Sequence, residues 1–396
     1  MRYFRLTSLS CADLSLDLLR AEGFSFDLSL ENFIFSLSQE PFSAGNSLAH
    51  YFGLIYLQDK SSYLPPLVLN PRPGSIVLDL CASPGSKTGV LSWLVGSEGL
   101  VVANEPSFSR LATLRQNLRR CNQLNVICTS YRGELFPLVR GFDYVLADVP
   151  CSGWGTIEKN PQVKKIWTQD KLDHLLSLQR KILKRASQLL NPGGRLVYST
   201  CTTNQRENED QIAWAEQELG LERLPVEDKW RIGFQPGKLT NTYQIPLAEG
   251  EQQGFFLALL TKPGEKRNSY GGSQEKFRFQ ECKLNLELEV AGKLACFEQK
   301  VFFLPERALS WTGGLKFKGT LIGKLTKKGL KLWPGLRCLK DAEFKIRLSE
   351  LKELKKIMRG ERITASLPDG QGLLCYFDLP LCWVKVKNKR IIWQYF

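Results

Sequence analysis

The chain has 396 residues, of which 43% are hydrophobic and 24% are charged, a composition typical of a folded chain of two or three domains and not of a disordered or fibrous one. No apolar run reaches the roughly 18 residues that a membrane-spanning helix requires. Asp13, Asp17 and Arg20 interrupt the N-terminal segment, so it has no signal-peptide core. We expect a cytoplasmic protein without a membrane segment.

The formal net charge is +14, and its distribution is uneven. Residues 1–260 contain 26 basic and 26 acidic residues, whereas residues 261–396 contain 28 basic and 14 acidic ones. A positive excess confined to the last third of the chain favours a polyanionic partner for that part, above all a nucleic acid. The alternative is a lysine-rich surface that serves only solubility.

Strands and helices alternate over the middle of the chain. Residues 1–70 mix short helical and extended patterns, which predicts a small α+β region, and residues 71–262 have the pattern of a doubly wound, largely parallel sheet. The predicted strands lie at 75–80, 100–104, 125–129, 144–148, 195–200 and 254–261, and the predicted helices at 87–95, 107–120, 169–190 and 205–219.

The sequence of the last third of the chain predicts a separate domain. Residues 263–275 are polar and rich in glycine and serine, which predicts a linker. Residues 276–396 contain many short runs separated by glycine or proline, and the stretch 283–290 alternates strictly. This pattern predicts a small, basic, mostly β domain with one helix near 349–357.

Eleven cysteines and only two histidines limit the possible chemistry. An odd cysteine count without a signal peptide argues against a disulfide framework, and the lack of any CxxC pair argues against structural zinc, so we expect no metal. Neither His50 nor His174 has a catalytic setting. A role in packing is predicted for Cys11, Cys121, Cys128, Cys282, Cys296, Cys338, Cys375 and Cys382, and is favoured for Cys81.

Polar residues follow the predicted strands where a parallel sheet binds its ligands. The first strand is followed by a turn of small residues, 81–88, which is neither a P-loop nor a GxGxxG motif. Glu105 follows the second strand, where a carboxylate can accept hydrogen bonds from a ribose. Cys151 and Cys201 end two further strands in turns rich in Pro, Gly and Thr, beside Asp148. These two cysteines are predicted to be reactive; a vicinal redox pair is the alternative.

Three segments, LDLCASPGSKTG, LADVPCSGWGTIEKNP and LVYSTCTTNQRENE, resemble the signatures of the Nop2/Sun (RsmB/RsmF-like) family of RNA cytosine-5 methyltransferases. The likeness covers roughly residues 48–262, and residues from about 276 are similar, more weakly, to the PUA-like C-terminal domain of a bacterial ribosomal RNA subgroup. The resemblance implies a Rossmann-like S-adenosylmethionine-dependent methyltransferase domain with a mostly parallel seven-stranded sheet, followed by a PUA-like RNA-binding domain, in a monomer.

The resemblance also implies roles for individual residues. Cys201 would attack carbon 6 of the cytosine, and Cys151 would assist loss of the carbon 5 proton. Asp148 would bind the exocyclic amine and ring nitrogen 3, while Lys87 would favour the thiolate. Arg132 stands where the family has an aspartate. The implied S-adenosylmethionine-binding residues are Cys81, Ala82, Ser83, Pro84, Gly85, Ser86, Lys87, Glu105, Arg132 and Asp148.

The implied substrate is a cytosine in structured RNA, with small-subunit ribosomal RNA favoured over transfer RNA. A different class of protein is the second alternative: a non-catalytic RNA-binding assembly factor with a methyltransferase-like fold. Three sets of residues are candidates for RNA contact. They are Lys159, Lys164 and Lys165, which could equally form a solvated loop; Gln58 and Ser61, by resemblance; and the basic and aromatic stretch 316–337.

Overall fold

The computed structural model describes residues 2–8, 10–138, 141–156, 168–230, 234–245, 254–264, 280–281, 288–311, 315–327, 329–337, 344–361, 363–364 and 368–394. Three features of the sequence lie wholly or mostly outside these residues. They are Lys159, Lys164 and Lys165, the linker at 263–275, and the alternating run at 283–290.

The N-terminal region is an antiparallel sheet that packs on the rest of the chain. Its strands, in the order β2-β3-β1-β4, are β1 (Tyr3–Leu6), β2 (Ser25–Leu28), β3 (Ile34–Gln39) and β4 (Ile55–Gln58). Its helices are α1 (Ala12–Ala21), α2 (Leu48–Tyr51) and α3 (Leu64–Leu69). The rings of Phe33 and Trp93 stack with centroids 4.4 Å apart, which joins this sheet to the next helix in the chain.

The central sheet has nine strands in the described residues and positions the site. They are β5 (Ile76–Asp79), β6 (Leu100–Asn104), β7 (Val126–Thr129), β8 (Phe142–Asp148), β9 (Leu190–Thr200), β10 (Glu222–Leu224), β11 (Gln235–Pro236), β12 (Thr242–Ile245) and β13 (Phe255–Thr261). The helices are α4 (Ser86–Val95), α5 (Phe108–Arg120), α6 (Gln169–Leu189) and α7 (Glu209–Leu219).

The strand order is β11-β12-β13-β9-β8-β5-β6-β7, with β10 paired to β13. Strands β5 to β9 are parallel to one another, and β13 runs antiparallel to β9. All six predicted strands are present, and the Rossmann-like fold class is confirmed. The sheet has nine strands in the described residues and not the seven that the resemblance implies. The sequence did not indicate β10, β11 or β12, because runs of two to four residues have no readable periodicity.

Both faces of the parallel strands are covered, as their continuous apolar sequences require. Alternate residues of each strand enter opposite cores, so that Val77 and Val101 face the N-terminal sheet, while Leu78 and Val102 face the layer that contains α6. Two boundaries of secondary-structure elements differ from those predicted. Residues 190–194 join β9 instead of separating it from the preceding helix, and a 3₁₀ turn at Gln205–Glu207 precedes α7.

The C-terminal part is rich in β-structure, as predicted. One five-stranded sheet contains β14 (Gln280–Glu281), β15 (Gly292–Phe297), β16 (Lys300–Pro305), β17 (Thr320–Thr326) and β18 (Gly329–Leu332). A four-stranded sheet contains β19 (Lys345–Leu348), β20 (Gly370–Tyr376), β21 (Leu379–Lys387) and β22 (Arg390–Ile392). The helices are α8 (Glu306–Trp311) and α9 (Leu351–Met358), of which α9 was predicted at 349–357.

The C-terminal sheets pack closely on the central domain. Cys128 of edge strand β7 and Lys318 exchange two backbone hydrogen bonds, of 3.0 and 3.1 Å, and the rings of Phe142 and Trp311 lie 4.8 Å apart. A role in packing is predicted for Cys296, but this residue is disulfide-bonded. An odd number of cysteines excludes only a framework that uses every one of them. None of the described helices is long and apolar enough to span a membrane.

Candidate active site

The carboxyl ends of β8 and β9 bring two thiols together. Cys151 lies three residues beyond β8 and Cys201 directly follows β9, and the two strands are parallel neighbours. Their Sγ atoms are 3.0 Å apart, and the backbone N–H of Cys201 donates to Cys151 Sγ over 3.3 Å. The predicted convergence of these cysteines is therefore present in the fold.

A partly buried ion pair lies next to the thiols. Lys87 Nζ is 2.6 Å from Asp148 Oδ2, and the Ser199 hydroxyl donates to Asp148 Oδ1 over 2.7 Å. Burial by itself lowers the pKa of Lys87, but the charge and the hydrogen bond of Asp148 raise it above its usual value. The lysine is therefore a permanent cation near the sulfur atoms.

The two thiols differ in acidity. A hydrogen bond from Cys151 to its neighbour lowers the pKa of Cys201, against the effect of burial, and the charge of Lys87 lowers it further. The same hydrogen bond, together with burial, raises the pKa of Cys151 well above its ordinary value. Cys201 is therefore the sulfur that ionises first, with Cys151 as the proton donor that stabilises its thiolate.

The turn between β5 and α4, residues 81–87, is held by helix α5. Ser83 Oγ donates to the Arg110 carbonyl over 3.0 Å, and the Arg110 guanidinium donates back to the Ser83 carbonyl over 3.1 Å. Asn117 Nδ2 donates to the Pro84 carbonyl over 2.9 Å. Because α5 fixes both carbonyls, the backbone of the turn is held rigidly at the strand ends.

Glu105 lies at the end of β6 with only 2% of its surface exposed. Its Oε1 accepts from the Ser107 backbone N–H over 2.9 Å, and Arg110 lies 3.4 Å from its Oε2. The buried Asn104 fixes this strand end, since its amide donates to the Leu80 carbonyl and accepts from the Tyr131 N–H. Glu105 is thus a preorganised acceptor for hydroxyl groups.

Two of the predicted binding residues, Arg132 and Cys81, follow β7 and β5 at this edge of the sheet. Arg132 is exposed and pairs with Glu134 over 2.5 Å. Cys81 is partly buried, and burial, with nearby carboxylates, raises the pKa of its thiol well above the ordinary value. Cys81 therefore remains a thiol and contributes packing and backbone.

Glu207, which was not predicted as a site residue, organises the turns that carry both cysteines. Its carboxylate is fully buried, and it accepts hydrogen bonds from Ser152, Gln179 and Asn204. Ser152 Oγ also lies 2.9 Å from Thr202 Oγ1, which joins the two turns directly. The sequence signal that could have indicated this role is an acidic residue six positions beyond Cys201, within the segment NQRENE.

Asp79, at the end of β5, is a second residue that the sequence analysis did not single out. It is buried and accepts from the Thr88 hydroxyl over 2.7 Å, and burial raises its pKa to about 7.

Gln58 and Ser61, named by resemblance, lie at the end of β4 and in the turn after it. Both polar atoms of the Gln58 amide are buried without a hydrogen-bond partner among the described residues.

The strand order and the polar strand ends are those of S-adenosylmethionine-dependent methyltransferases, and this is the class of the protein. A family model described as 16S rRNA methyltransferase RsmB/F matches residues 66–261. The chain is 30% identical to the ribosomal RNA small subunit methyltransferase F of Shewanella loihica, over 88% of this chain and 78% of that one. The chain therefore belongs to the RsmB/F methyltransferase family, which confirms the predicted family.

Further comparisons agree with this assignment. The enzyme of the same name from Pectobacterium atrosepticum is 36% identical over 58% of this chain and 49% of its own length. A methyltransferase homologue from Pyrococcus horikoshii is 34% identical in its solved structure, with a TM-score of 0.55, over 66% of this chain and 86% of that one. NSun6 from Pyrococcus horikoshii, solved with SFG, shares the fold at 20% identity, with a TM-score of 0.59, over 66% of this chain and 91% of that one.

The strand-end residues fit the cofactor of this class. Bound S-adenosylmethionine supplies an electrophilic methyl group on a sulfonium. The buried carboxylate of Glu105 is a suitable acceptor for its ribose hydroxyls, and the turn at 81–87 offers backbone groups and small side chains that allow a close approach. Arg132 stands where the resemblance implies an aspartate, and the acid paired with it is Glu134, whose side chain is 10% exposed.

Proposed function

We propose that this protein methylates carbon 5 of a cytosine in structured RNA, with small-subunit ribosomal RNA as the substrate. The observation that carries the proposal is the 3.0 Å contact between Cys151 Sγ and Cys201 Sγ beside the Lys87–Asp148 ion pair. Relatives named ribosomal RNA small subunit methyltransferase F support the choice of RNA.

The proposed chemistry explains why a thiolate is needed. Carbon 5 of cytosine is a poor nucleophile, so a bond from Cys201 Sγ to carbon 6 must first place an electron pair on carbon 5. That electron pair would then bond to the methyl group supplied by S-adenosylmethionine, whose sulfonium would leave as a neutral thioether. Carbon 5 must afterwards lose its proton while the sulfur–carbon 6 bond breaks. The lowered pKa of Cys201 supports its role as the attacking sulfur.

Cys151 is suited to act later in the cycle. In the free protein its pKa is raised, chiefly because it hydrogen-bonds to Cys201. Once Cys201 has become a neutral thioether, that hydrogen bond to a charged sulfur is lost, and the pKa of Cys151 falls. Cys151 can then lose its own proton to solvent, and its thiolate can accept the carbon 5 proton directly or through water. The electron pair of the carbon 5–hydrogen bond forms the carbon 5–carbon 6 double bond, and Cys201 leaves as a thiolate.

Asp148 and Lys87 are proposed to orient the base. One Asp148 oxygen accepts from Ser199 and the other from Lys87, so the carboxylate is fixed at the strand end. A fixed carboxylate can accept from the exocyclic amine of cytosine and so hold carbon 6 toward Cys201. The Lys87 ammonium beside it can stabilise the negative charge that the ring gains when the thiolate adds. The target base must be unpaired or flipped out of a helix to reach this site.

Transfer RNA as the substrate remains the alternative within the same chemistry. A non-catalytic assembly factor is a poorer explanation, because such a scaffold needs neither the thiol pair nor the buried acid Glu207 that positions its turns. Binding of S-adenosylmethionine, measured by calorimetry, separates the two classes, since a scaffold without cofactor would show no heat.

The decisive test is the fate of the RNA adduct in cysteine variants. We expect Cys201→Ala to abolish both methylation and any covalent complex, and Cys151→Ala to trap RNA on Cys201, seen as a denaturant-stable protein–RNA band. Cys11→Ser, in the N-terminal region, is the matched control and should behave as the wild type. Methylation by Cys201→Ala would overturn the assignment.

Bisulfite sequencing of ribosomal and transfer RNA from a deletion strain identifies the substrate. We expect one or more 5-methylcytosine positions in small-subunit ribosomal RNA to disappear, and to return when the wild-type gene is restored. Loss confined to transfer RNA would establish the alternative substrate.

A further inference from the structure

A second cationic site lies away from the thiols, in a cleft of about 350 Å³ between α5 and the five-stranded C-terminal sheet. Four of the lining residues are basic: Arg115 and Arg119 of α5, Lys300 of β16, and Lys318, which precedes β17. No acidic residue is among the residues that line the cleft in the described part of the chain. The cleft is therefore strongly positive.

The two arginines carry donors that the protein leaves unused. Nε of Arg115 and Nε of Arg119 are both buried and have no hydrogen-bond partner among the described residues. The residues are four apart on α5, and like charges at this spacing destabilise a helix. An anion bound in the cleft would offset the two positive charges and relieve this repulsion.

The cleft is also shaped for more than an inorganic ion. The Arg119 guanidinium stacks over the Trp333 ring, 4.8 Å from its centre, which fixes the direction of its donors. Phe302 and Leu321, both partly exposed, form an apolar wall on the side of the C-terminal sheet. Basic groups on both sides of the cleft, next to this apolar surface, suit a nucleotide, whose phosphate would contact the charges and whose ribose or base would contact the apolar side chains.

The position of the cleft separates it from the catalytic pocket. It opens at edge strand β7, whereas Cys151 follows β8, and β5 and β6 lie between them. Three strand spacings place the cleft roughly 14 Å or more from the thiols. Because Lys318 pairs directly with β7, both walls belong to one rigid unit.

We propose that this cleft binds the phosphodiester backbone of the substrate RNA at a point away from the target cytosine. The inference rests on the proposed function, since it takes the substrate to be RNA. Phosphate contacts of this kind fix the register of the RNA without reading its sequence. They would strengthen binding, and they would not alter the chemical step.

The test is the double variant Arg115→Gln/Arg119→Gln, assayed for methylation and RNA binding at several salt concentrations. We expect KM for RNA to rise, kcat at saturating RNA to stay unchanged, and the plot of log affinity against log salt to become shallower by about 1.5 for two lost phosphate contacts. S-adenosylmethionine affinity should not change.

A second double variant, Lys300→Gln/Lys318→Gln, tests the same cleft without disturbing the fold, because both side chains are exposed. This pair should also raise KM for RNA and make the salt dependence of affinity shallower. The matched control is Arg347→Gln/Arg359→Gln, which removes the same charge from exposed side chains of the other C-terminal sheet and its helix. We expect its effect on the salt slope to be much smaller.

Three outcomes would overturn the proposal. One is unchanged KM and salt slope in both cleft pairs, and another is an equal loss in the Arg347/Arg359 control. The third is a lower melting temperature of the arginine pair without a change in RNA affinity, which would make the cleft a structural contact. Failure of the proposed function is distinguishable, since the wild type itself would then form no 5-methylcytosine.

Discussion

Glu207 accepts hydrogen bonds from both the backbone N–H and the hydroxyl of Ser152, over 2.8 and 2.5 Å. Ser152 adjoins Cys151, and Glu207 belongs to the turn that follows Cys201. One buried carboxylate therefore sets the distance between the two strand-end turns that carry the thiols. It is a positioning residue, because it acts on the substrate only through the cysteines.

The first prediction concerns Glu207→Gln. An amide presents N–H donors where the native carboxylate accepts only, so at least one donor of Ser152, Gln179 or Asn204 loses its partner, at a cost of about 1–3 kcal/mol of stability. Misplaced turns should lower kcat by about 10²-fold with little change in S-adenosylmethionine affinity. The control Glu216→Gln removes a partly exposed carboxylate paired with Arg223 and should leave kcat unchanged. A normal kcat in Glu207→Gln would contradict the positioning role.

The second prediction concerns thiol reactivity as a function of pH. The pKa of Cys201 is lowered, so its reactive thiolate is present at a lower pH than that of Cys11, whose pKa is raised by burial. Iodoacetamide at neutral pH should therefore label Cys201 faster than Cys11 or Cys151, as read by peptide mass spectrometry. In Cys151→Ala the donor to Cys201 is lost, so the labelling curve of Cys201 should shift to higher pH. An unshifted curve would contradict the proposed stabilisation of the thiolate.

The third prediction concerns oxidation. With the two sulfurs 3.0 Å apart, diamide should take up the two thiol hydrogens and leave a Cys151–Cys201 disulfide. Methylation should be lost on treatment and recovered with dithiothreitol, while Cys151→Ser should form no such bridge. Failure of the wild type to form the bridged peptide would show that the thiols do not approach each other in solution.

The fourth prediction concerns Arg337, which joins the C-terminal part to the rest of the chain. Its buried guanidinium donates to the backbone carbonyls of Phe52, Gly53 and Arg120. Arg337→Ala should lower the free energy of unfolding by about 2–4 kcal/mol, because buried carbonyls lose their donors. Differential scanning calorimetry measures this loss, with the exposed Arg359→Ala as the control. Equal melting temperatures for the two variants would contradict the anchoring role.

Much of the fold could be predicted because apolar periodicity is a local property. The six predicted strands, and the helices α4, α5, α6 and α9, lie where their sequences indicate. Short strands such as β10 and β11 exist only because β13 and β12 offer them an edge to pair with. Their sequences therefore carry no signal of their own.

By itself, the sequence determined the class of sheet, the family and the two cysteines at strand ends, since each depends on residue type and spacing along the chain. Only the tertiary structure decided which thiol ionises first, that Glu207 joins the two turns, and that Arg115 and Arg119 meet Lys318 across a cleft. These properties depend on burial and on distances between residues far apart in the chain, and hydrogen bonds and charges act over a few ångströms whatever the separation in sequence.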